Sequence, residues 1–147
     1  TGNHYPEALA GALLQIARPG AGAAQIYLTE SGSLWSRSRG SDGLWQTWRR
    51  QSSSSGSGAN GSWLRLPDGT QICHYSLTPS ASAATTWSYP QPFSAAPVIS
   101  GTPQSAVLCG LCLEAAPGLS SASLSLRGVD HARRADPVQL TAIGRWY

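Results

Sequence analysis

The sequence predicts an all-β protein: a small β-rich module followed by an antiparallel β-sandwich-like domain. Two observations support this fold class. In the second half of the chain, short apolar runs are separated by Pro and Gly, as expected for strands joined by turns. The run Ser121–Arg127 alternates strictly between polar and apolar residues, which is typical of a half-buried antiparallel strand.

The composition excludes several classes of protein. The 147 residues carry ten basic side chains, all of them arginine, and seven acidic ones, so the formal charge is +3. Charged residues make up 12% of the chain, too few for a surface that follows nucleic-acid phosphates. No apolar run approaches the roughly 18 residues that span a bilayer. We therefore expect no nucleic-acid partner and no membrane insertion. Because Met is absent, we also expect a fragment or a processed C-terminal piece.

Changes in composition along the chain predict two modules. The tract QSSSSGSGANGS at 51–62 has no side chain able to bury much area, which is typical of a flexible or loosely pinned connector. We expect a β-rich module over residues 1–51, a Ser/Gly connector over 52–61 and a second domain over 62–147.

The first module starts with an ambiguous segment. Glu7–Ile16 follows a proline and contains good helix formers, but Gly11 lies in its middle, so helix and strand both stay open. Three strands are predicted after it, at Gln25–Leu28, Ser33–Arg39 and Trp45–Arg50, with turns at 30–32 and 40–43. Alternation in the middle strand places Trp35 with Arg37 and Arg39 on one face, where guanidinium groups can stack on indoles.

The second module contains a turn signal, Pro67-Asp68-Gly69, which predicts a hairpin because Asp-Gly readily adopts a positive φ. The strands predicted on either side are Trp63–Leu66 and Thr70–Tyr75. The later strands are predicted at Thr85–Tyr89, Pro97–Gly101, Ala106–Glu114, Ser121–Arg127 and Val138–Arg145.

Several stretches resemble the C-terminal region of phage and R-type pyocin tail fibres. The stretch AQIYLTESGSLWSRSRGSDGLWQTWRRQ (24–51) is similar to their knob repeat. NGSWLRLPDGTQIC (60–73), YPQPFSAAPVIS (89–100) and the ending AIGRWY (142–147) resemble, in order, parts of the tail-fibre C-terminal domain. The matching residues in the knob repeat are Gln25, Tyr27, Trp35, Arg37, Arg39, Trp45 and Trp48.

The resemblance implies a homotrimeric fibre tip that follows an upstream shaft. Such a tip lies at the distal end of a virion tail fibre and is assembled in the host cytoplasm. Such a tip attaches the particle to a bacterial surface receptor, either a glycan such as lipopolysaccharide or an outer-membrane protein, by non-covalent binding. Two alternatives stay open: a depolymerase of capsule or surface polysaccharide, and a structural tip that serves only trimerisation.

Two groups of residues are candidates for receptor binding. Trp87 and Tyr89 lie in a Pro/Ser/Ala-rich segment, and exposed aromatic rings stack on sugars, although Trp87 is equally suited to a trimer interface. Asp130, His131, Arg133 and Arg134 share the most polar loop of the second module, and arginine suits the phosphates and carboxylates of surface glycans. The alternative for this loop is a solvated segment with internal Asp–Arg pairs.

The sequence points to no catalytic residues, no cofactor and no metal site. Asp130 and Asp136 are the acids closest to a glycosidase pair, but a solvated loop is the simpler interpretation. Cys109 and Cys112 have metal-ligand spacing, yet a strand projects residues three apart to opposite faces. We expect small core thiols, with a zinc site or a disulfide to Cys73 as the open alternatives.

Overall fold

The structure is a computed structural model that describes residues 5–8, 10–18 and 21–147. Every regular element in those ranges is a β-strand, which confirms the predicted all-β class. The chain divides into two compact units, Thr1–Ser53 and Ser54–Tyr147, called unit 1 and unit 2 below.

Unit 1 is built around one antiparallel sheet with the strands in chain order. The first strand pairs with the second from Gly11↔Thr29 onwards, so the helical alternative for Glu7–Ile16 is wrong where the strand covers it. A strand is favoured because this pairing satisfies the backbone groups on either side of Gly11, a residue that weakens helices. The strands are β1 (Gly11–Arg18), β2 (Ala21–Thr29), β3 (Leu34–Arg39) and β4 (Arg49–Arg50).

Unit 2 is a sandwich of two sheets. A five-stranded sheet has the order β5-β6-β7-β13-β9, and in the second sheet β11 pairs with β10 along one edge and with β8 and β12 along the other. We call the second one the β11 sheet. The strands are β5 (Ser54–Gly58), β6 (Gly61–Arg65), β7 (Thr70–Leu77), β8 (Thr85–Ser88), β9 (Val98–Pro103), β10 (Cys109–Leu113), β11 (Ser121–Gly128), β12 (Arg133–Arg134) and β13 (Val138–Arg145).

The hydrophobic core of unit 2 lies between its two sheets. Leu124 and Leu126 of β11 are fully buried, as the strict alternation predicts. Val138 and Leu140 of β13 are fully buried as well and belong to the same core cluster. Each such side chain removed from water contributes about 1.5–3 kcal/mol, so unit 2 has a substantial core of its own.

The Ser/Gly tract does not act as a connector over most of its length. Ser54–Gly58 forms β5, which pairs with β6 and edges the five-stranded sheet. A Cβ on Gly56 would lie 2.9 Å from Trp63 Nε1, so the missing side chain makes room for the indole. Gly61 has φ 113°, and a Cβ there would lie 2.1 Å from the His74 carbonyl oxygen. Backbone pairing, which composition does not reveal, orders this tract.

The predicted hairpin turn is present, and the C-terminus is fastened to it. Gly69 has φ 90°, and Asp68 Oδ1 accepts a hydrogen bond from the Thr70 amide at 2.8 Å. Trp146 Nε1 donates to the Leu66 carbonyl at 3.1 Å, and the Tyr147 hydroxyl donates to the Pro67 carbonyl at 2.9 Å. The terminal aromatic residues therefore hold the turn between β6 and β7.

Candidate functional site

Trp87 and Tyr89 are core residues, so the prediction that they are exposed receptor contacts is wrong. Trp87 is 1% exposed and Tyr89 is 7% exposed. The reason is the pairing of β8 with β11, in which Trp87 lies opposite the buried Ala122. Strand pairing turns this part of the Pro/Ser/Ala-rich segment inward.

An aromatic chain runs through the core at this point. Trp87 stacks on Tyr75 with ring centroids 6.3 Å apart and meets Tyr89 edge-on at 5.1 Å. Tyr89 in turn meets Phe93 edge-on at 5.1 Å. Trp87 Nε1 donates to the Asn60 carbonyl at 3.1 Å. Burial, with a smaller contribution from Cys73, raises the pKa of Tyr89 to about 12. These rings stabilise the sandwich.

The other four predicted residues lie together on one hairpin. β11 and β12 pair through Leu126↔Arg134 and Arg127↔Arg133 and are joined by residues 129–132. Asp130 Oδ1 accepts from the Ala132 amide at 3.2 Å, and the exposed His131 has φ 59°. Asp closing a turn and His in the left-handed region are ordinary turn chemistry.

Glu114 forms ion pairs with both Arg127 and Arg133, which lie opposite each other in this hairpin. Glu114 Oε1 lies 2.9 Å from Nη2 of Arg127 and 2.9 Å from Nη2 of Arg133. The Ser125 hydroxyl donates to the same oxygen. The Ser125 hydrogen bond, followed by those of Arg133 and Arg127, lowers the pKa of Glu114 from 4.5 to about 2. The carboxylate is therefore ionised at neutral pH and holds both guanidinium groups.

A second ion pair and a loop contact complete the cluster. Arg134 Nη2 lies 3.1 Å from Asp130 Oδ2, and Arg133 Nη1 donates to the Ser82 carbonyl at 3.5 Å. The Ala132 amide and then Arg134 lower the pKa of Asp130. Internal pairing is thus the arrangement present here. We call this set the arginine cluster; its members are Arg127, Arg133, Arg134, Glu114 and Asp130.

The arginine cluster has an unbalanced charge. Three guanidinium groups face two carboxylates, which leaves one positive charge at the surface of the hairpin. Nε of Arg133 and Nε of Arg134 are buried and have no hydrogen-bond acceptor among the described residues. Because these two atoms are buried, the feature that suits an additional anionic group is the surplus positive charge of the cluster.

An exposed apolar group beside this hairpin escaped the sequence reasoning. Val107, Leu108 and Val129 are 52%, 78% and 72% exposed, and we call them the apolar tip. Cys109↔Gly128 is the last pair between β10 and β11, so Leu108 and Val129 are the residues immediately beyond it. The sequence predicted a strand from Ala106 to Glu114. In the structure β10 begins only at Cys109, so Val107 and Leu108 are not paired in a strand and are exposed.

The His, Cys, Asp and Glu side chains of the described residues are the candidates for metal or acid–base chemistry. No group of three or more His, Cys, Asp or Glu side chains in this part of the chain is arranged to hold a metal ion. The lowered pKa of Asp130 is opposite to what a general acid needs. No helix in the described ranges is long and apolar enough to cross a membrane.

The three cysteines are free thiols in this structure. Cys73 is buried, and burial raises its pKa. Cys109 packs against the core of the sandwich. Cys112 lies opposite Ser125, on the other face of β10, as its spacing from Cys109 predicts. The sulfur atoms of Cys109 and Cys112 therefore do not converge on one ligand.

Comparison with known proteins identifies the fold. No family model and no curated protein matches the sequence. A solved C-terminal fragment of the P. aeruginosa R2 pyocin fibre is similar over 96% of this chain, with a TM-score of 0.50 and 17% identity. The chain has the fold of a pyocin tail fibre. It spans 58% of that fragment and 84% of an N-truncated R2-type pyocin tail fibre, which it matches with the same TM-score and identity.

The tail-fibre fold confirms the resemblance that the sequence suggested. At 17% identity the likeness concerns the fold alone. The structure adds what the matching residues of the knob repeat do in this chain. Arg37 lies over Trp45 and Trp48, 4.7 Å and 4.5 Å from the ring centroids, and its Nε donates to Gln25 Oε1 at 2.7 Å. Arg37, Trp45 and Trp48 of that motif therefore pack against one another in unit 1.

Proposed function

We propose that this chain is the distal, receptor-binding part of a phage or pyocin-type tail fibre. Three copies around one axis would attach the particle to a bacterial surface by non-covalent binding. The observation that carries the proposal is the tail-fibre fold, which extends over 96% of the chain and so includes both units. Three weak sites on one rigid tip also increase avidity, because a released site rebinds at high local concentration.

The contact surface that we assign to this function combines the arginine cluster with the apolar tip. Guanidinium forks suit phosphate and carboxylate groups, which abound on lipopolysaccharide and capsular sugars. Leu108 and Val129 flank the cluster and are more than 70% exposed, so a ligand that covers them gains apolar contact as well. An anionic surface glycan matches both features better than a neutral receptor does.

The test is to add the purified chain to host cells. We expect the chain to bind, to block adsorption of the particle and to release no sugar. Leu108→Ser is expected to weaken binding at least tenfold, whereas Leu119→Ser is the matched control because Leu119 is 51% exposed in a different loop. Arg134→Gln is expected to weaken binding and to reduce its dependence on salt.

Three other outcomes contradict the proposal. Release of oligosaccharides from host capsule would identify a depolymerase. Neither binding nor sugar release would leave a purely structural trimerisation tip. Equal binding by the Leu108 and Leu119 variants would remove the apolar tip from the contact surface.

A further inference from the structure

A small cavity in unit 2 lies between the turn that joins β5 to β6 and the loop that follows β8. We call it the slot, and its volume is about 270 Å³. The residues that line it are uncharged, among them Ser57, Gly58, Asn60, Trp63, Pro90 and Gln91. No member of the arginine cluster or of the apolar tip lines the slot. It is therefore a separate candidate for ligand binding.

Glycine residues leave this space open. Gly56 lies opposite Trp63, and Trp63 lies opposite the buried Cys73, so all three are on the core-facing side of the sheet. Gly58 is two residues from Gly56 in β5 and is on the same side. A Cβ on Gly58 would have no atom within 4 Å. The Trp63 indole therefore borders open space at this end of the sandwich.

Buried side chains hold two walls of the slot in place. The Asn60 carbonyl accepts a hydrogen bond at 3.1 Å from Nε1 of Trp87, which is a core residue. The Gln91 carbonyl accepts one at 2.9 Å from Nε2 of Gln71, which is fully buried. A site whose walls are fixed before the ligand arrives loses less conformational freedom on binding. The slot is therefore preformed.

The polar side chains around the slot have unused hydrogen-bonding groups. Gln91 Oε1 lies 3.5 Å from Arg65 Nη2. The Ser57 hydroxyl, the Asn60 side-chain amide and Gln91 Nε2 make no hydrogen bond with the described residues. Amide and hydroxyl groups together offer both donors and acceptors. An aromatic wall with a few such groups is typical of a site for a ligand rich in hydroxyl groups.

The guanidinium group next to the Trp63 indole is used in packing. Arg65 lies over the rings of Trp63 and Trp146, 5.4 Å and 5.2 Å from their centroids. Its Nε donates a hydrogen bond to Gln71 Oε1 at 2.6 Å. Arg65 does not line the slot, so an anion would find no cation among the lining residues. The absence of charge in the lining favours an uncharged ligand.

We propose that the slot binds one neutral sugar residue, with the Trp63 indole along the sugar ring and the amides of Asn60 and Gln91 at its hydroxyl groups. The proposal rests on the proposed function for the source of the sugar, which is a glycan of the bacterial surface. It adds a site for uncharged sugars, which the positively charged arginine cluster does not select.

The test is the binding of four probes to the purified chain, measured by saturation-transfer NMR: the methyl glycosides of glucose, galactose and mannose, and N-acetylglucosamine. We expect at least one probe to bind with a dissociation constant on the order of 1 mM, because a single sugar ring makes few contacts. Gly58→Val adds volume where a Cβ meets no other atom, and it is expected to weaken binding at least tenfold. Ser55→Val is the matched control, because Ser55 belongs to the same strand but faces the other side of the sheet. The control is expected to bind as the unaltered chain does.

Asn60→Ala repeats the test without adding volume. Trp87 bonds to the Asn60 carbonyl, so the side-chain amide can be removed without breaking that contact. Loss of one hydrogen bond to the sugar is expected to weaken binding about two- to tenfold. Urea unfolding of each variant verifies that unit 2 remains folded.

Other results overturn the inference. No binding of any of the four probes at about 10 mM, tenfold above the expected constant, would do so without any variant. Equal binding by the Gly58→Val and Ser55→Val variants would place the sugar elsewhere on the chain. Unchanged attachment to host cells by a Gly58→Val variant that no longer binds sugar would show that the slot does not take the surface glycan.

The two proposals fail in different ways. Attachment to host cells without binding of any probe would refute the sugar slot while leaving the adhesion proposal intact. Binding of a probe in the slot without attachment to host cells would refute the adhesion proposal, and with it the surface glycan as the source of the sugar.

Discussion

Unit 1 and unit 2 build sheets with different degrees of closure. Both consist of short antiparallel strands, and each contains three of the six tryptophans. Unit 2 places two sheets face to face and buries Leu124 and Leu140 completely between them. Unit 1 has a single sheet on which Leu14, Ile16 and Leu28 are exposed.

This difference indicates which contacts stabilise each unit. Trp87 of unit 2 is 1% exposed and packs in the hydrophobic core between the two sheets. The tryptophans of unit 1 are half-buried, and Trp45 and Trp48 stack on the guanidinium group of Arg37. Unit 2 is therefore expected to be stable as a separate body, whereas unit 1 draws more of its stability from cation–π contacts.

The largest effect is expected from Trp87→Ala. Removal of a fully buried indole leaves a cavity and is expected to lower the free energy of unfolding by about 3–5 kcal/mol. Urea unfolding followed by circular dichroism measures it. Trp87→Phe, which keeps a ring beside Tyr75 and Tyr89, is expected to cost less. A loss below about 1 kcal/mol would contradict a closed core in unit 2.

A smaller effect is expected from Arg37→Gln in unit 1. The variant loses two guanidinium–indole contacts, each worth about 0.5–1 kcal/mol. It also loses the hydrogen bond that Arg37 Nε donates to Gln25. Fluorescence of Trp45 and Trp48 during urea unfolding reports the change. Arg39→Gln serves as the control, since the exposed Arg39 donates to the Gly43 carbonyl at 2.9 Å. Equal losses in the two variants would mean that stacking does not stabilise unit 1.

The smallest effect is expected from the pH dependence of the arginine cluster. The pKa of Glu114 is about 2 in the folded chain and 4.5 ordinarily, so its contribution is fully present above about pH 4.5. It is lost as the pH falls from about 4.5 towards 2. Thermal unfolding across this range should show a decline that Glu114→Gln reduces and Glu30→Gln, in an exposed turn, does not. An unchanged decline in the Glu114 variant would contradict the lowered pKa.

The strands and turns were predictable where local rules decide them. Alternation in Ser121–Arg127 predicted β11, and Pro67-Asp68-Gly69 predicted the turn before β7, because side-chain period and positive φ are properties of neighbouring residues. Local rules did not predict the strand in the Ser/Gly tract. Its order in β5 comes from hydrogen bonds to β6, and Ser and Gly give no local signal of such pairing.

The candidate site was predictable in part for the same reason. Polar residues concentrated between two predicted strands indicated the loop that carries Asp130, His131, Arg133 and Arg134, but the pairing of Arg133 and Arg134 with β11 was not predicted. The burial of Trp87 was not predictable, because β8 turns that side chain inward only by pairing with β11, more than thirty residues away. Glu114, which forms ion pairs with Arg127 and Arg133, was missed because it lies outside the hairpin, immediately after β10.

The sequence by itself determined the all-β class, most strand positions, the tight turns and the scarcity of charge, since each depends on residue type and short-range spacing. The tertiary structure alone decided which faces are covered. Burial depends on which strands pair and which sheets stack, and those contacts join residues that are distant in the chain. Trp87 is therefore part of the core, whereas Leu108 in unit 2 and Leu14 in unit 1 are exposed.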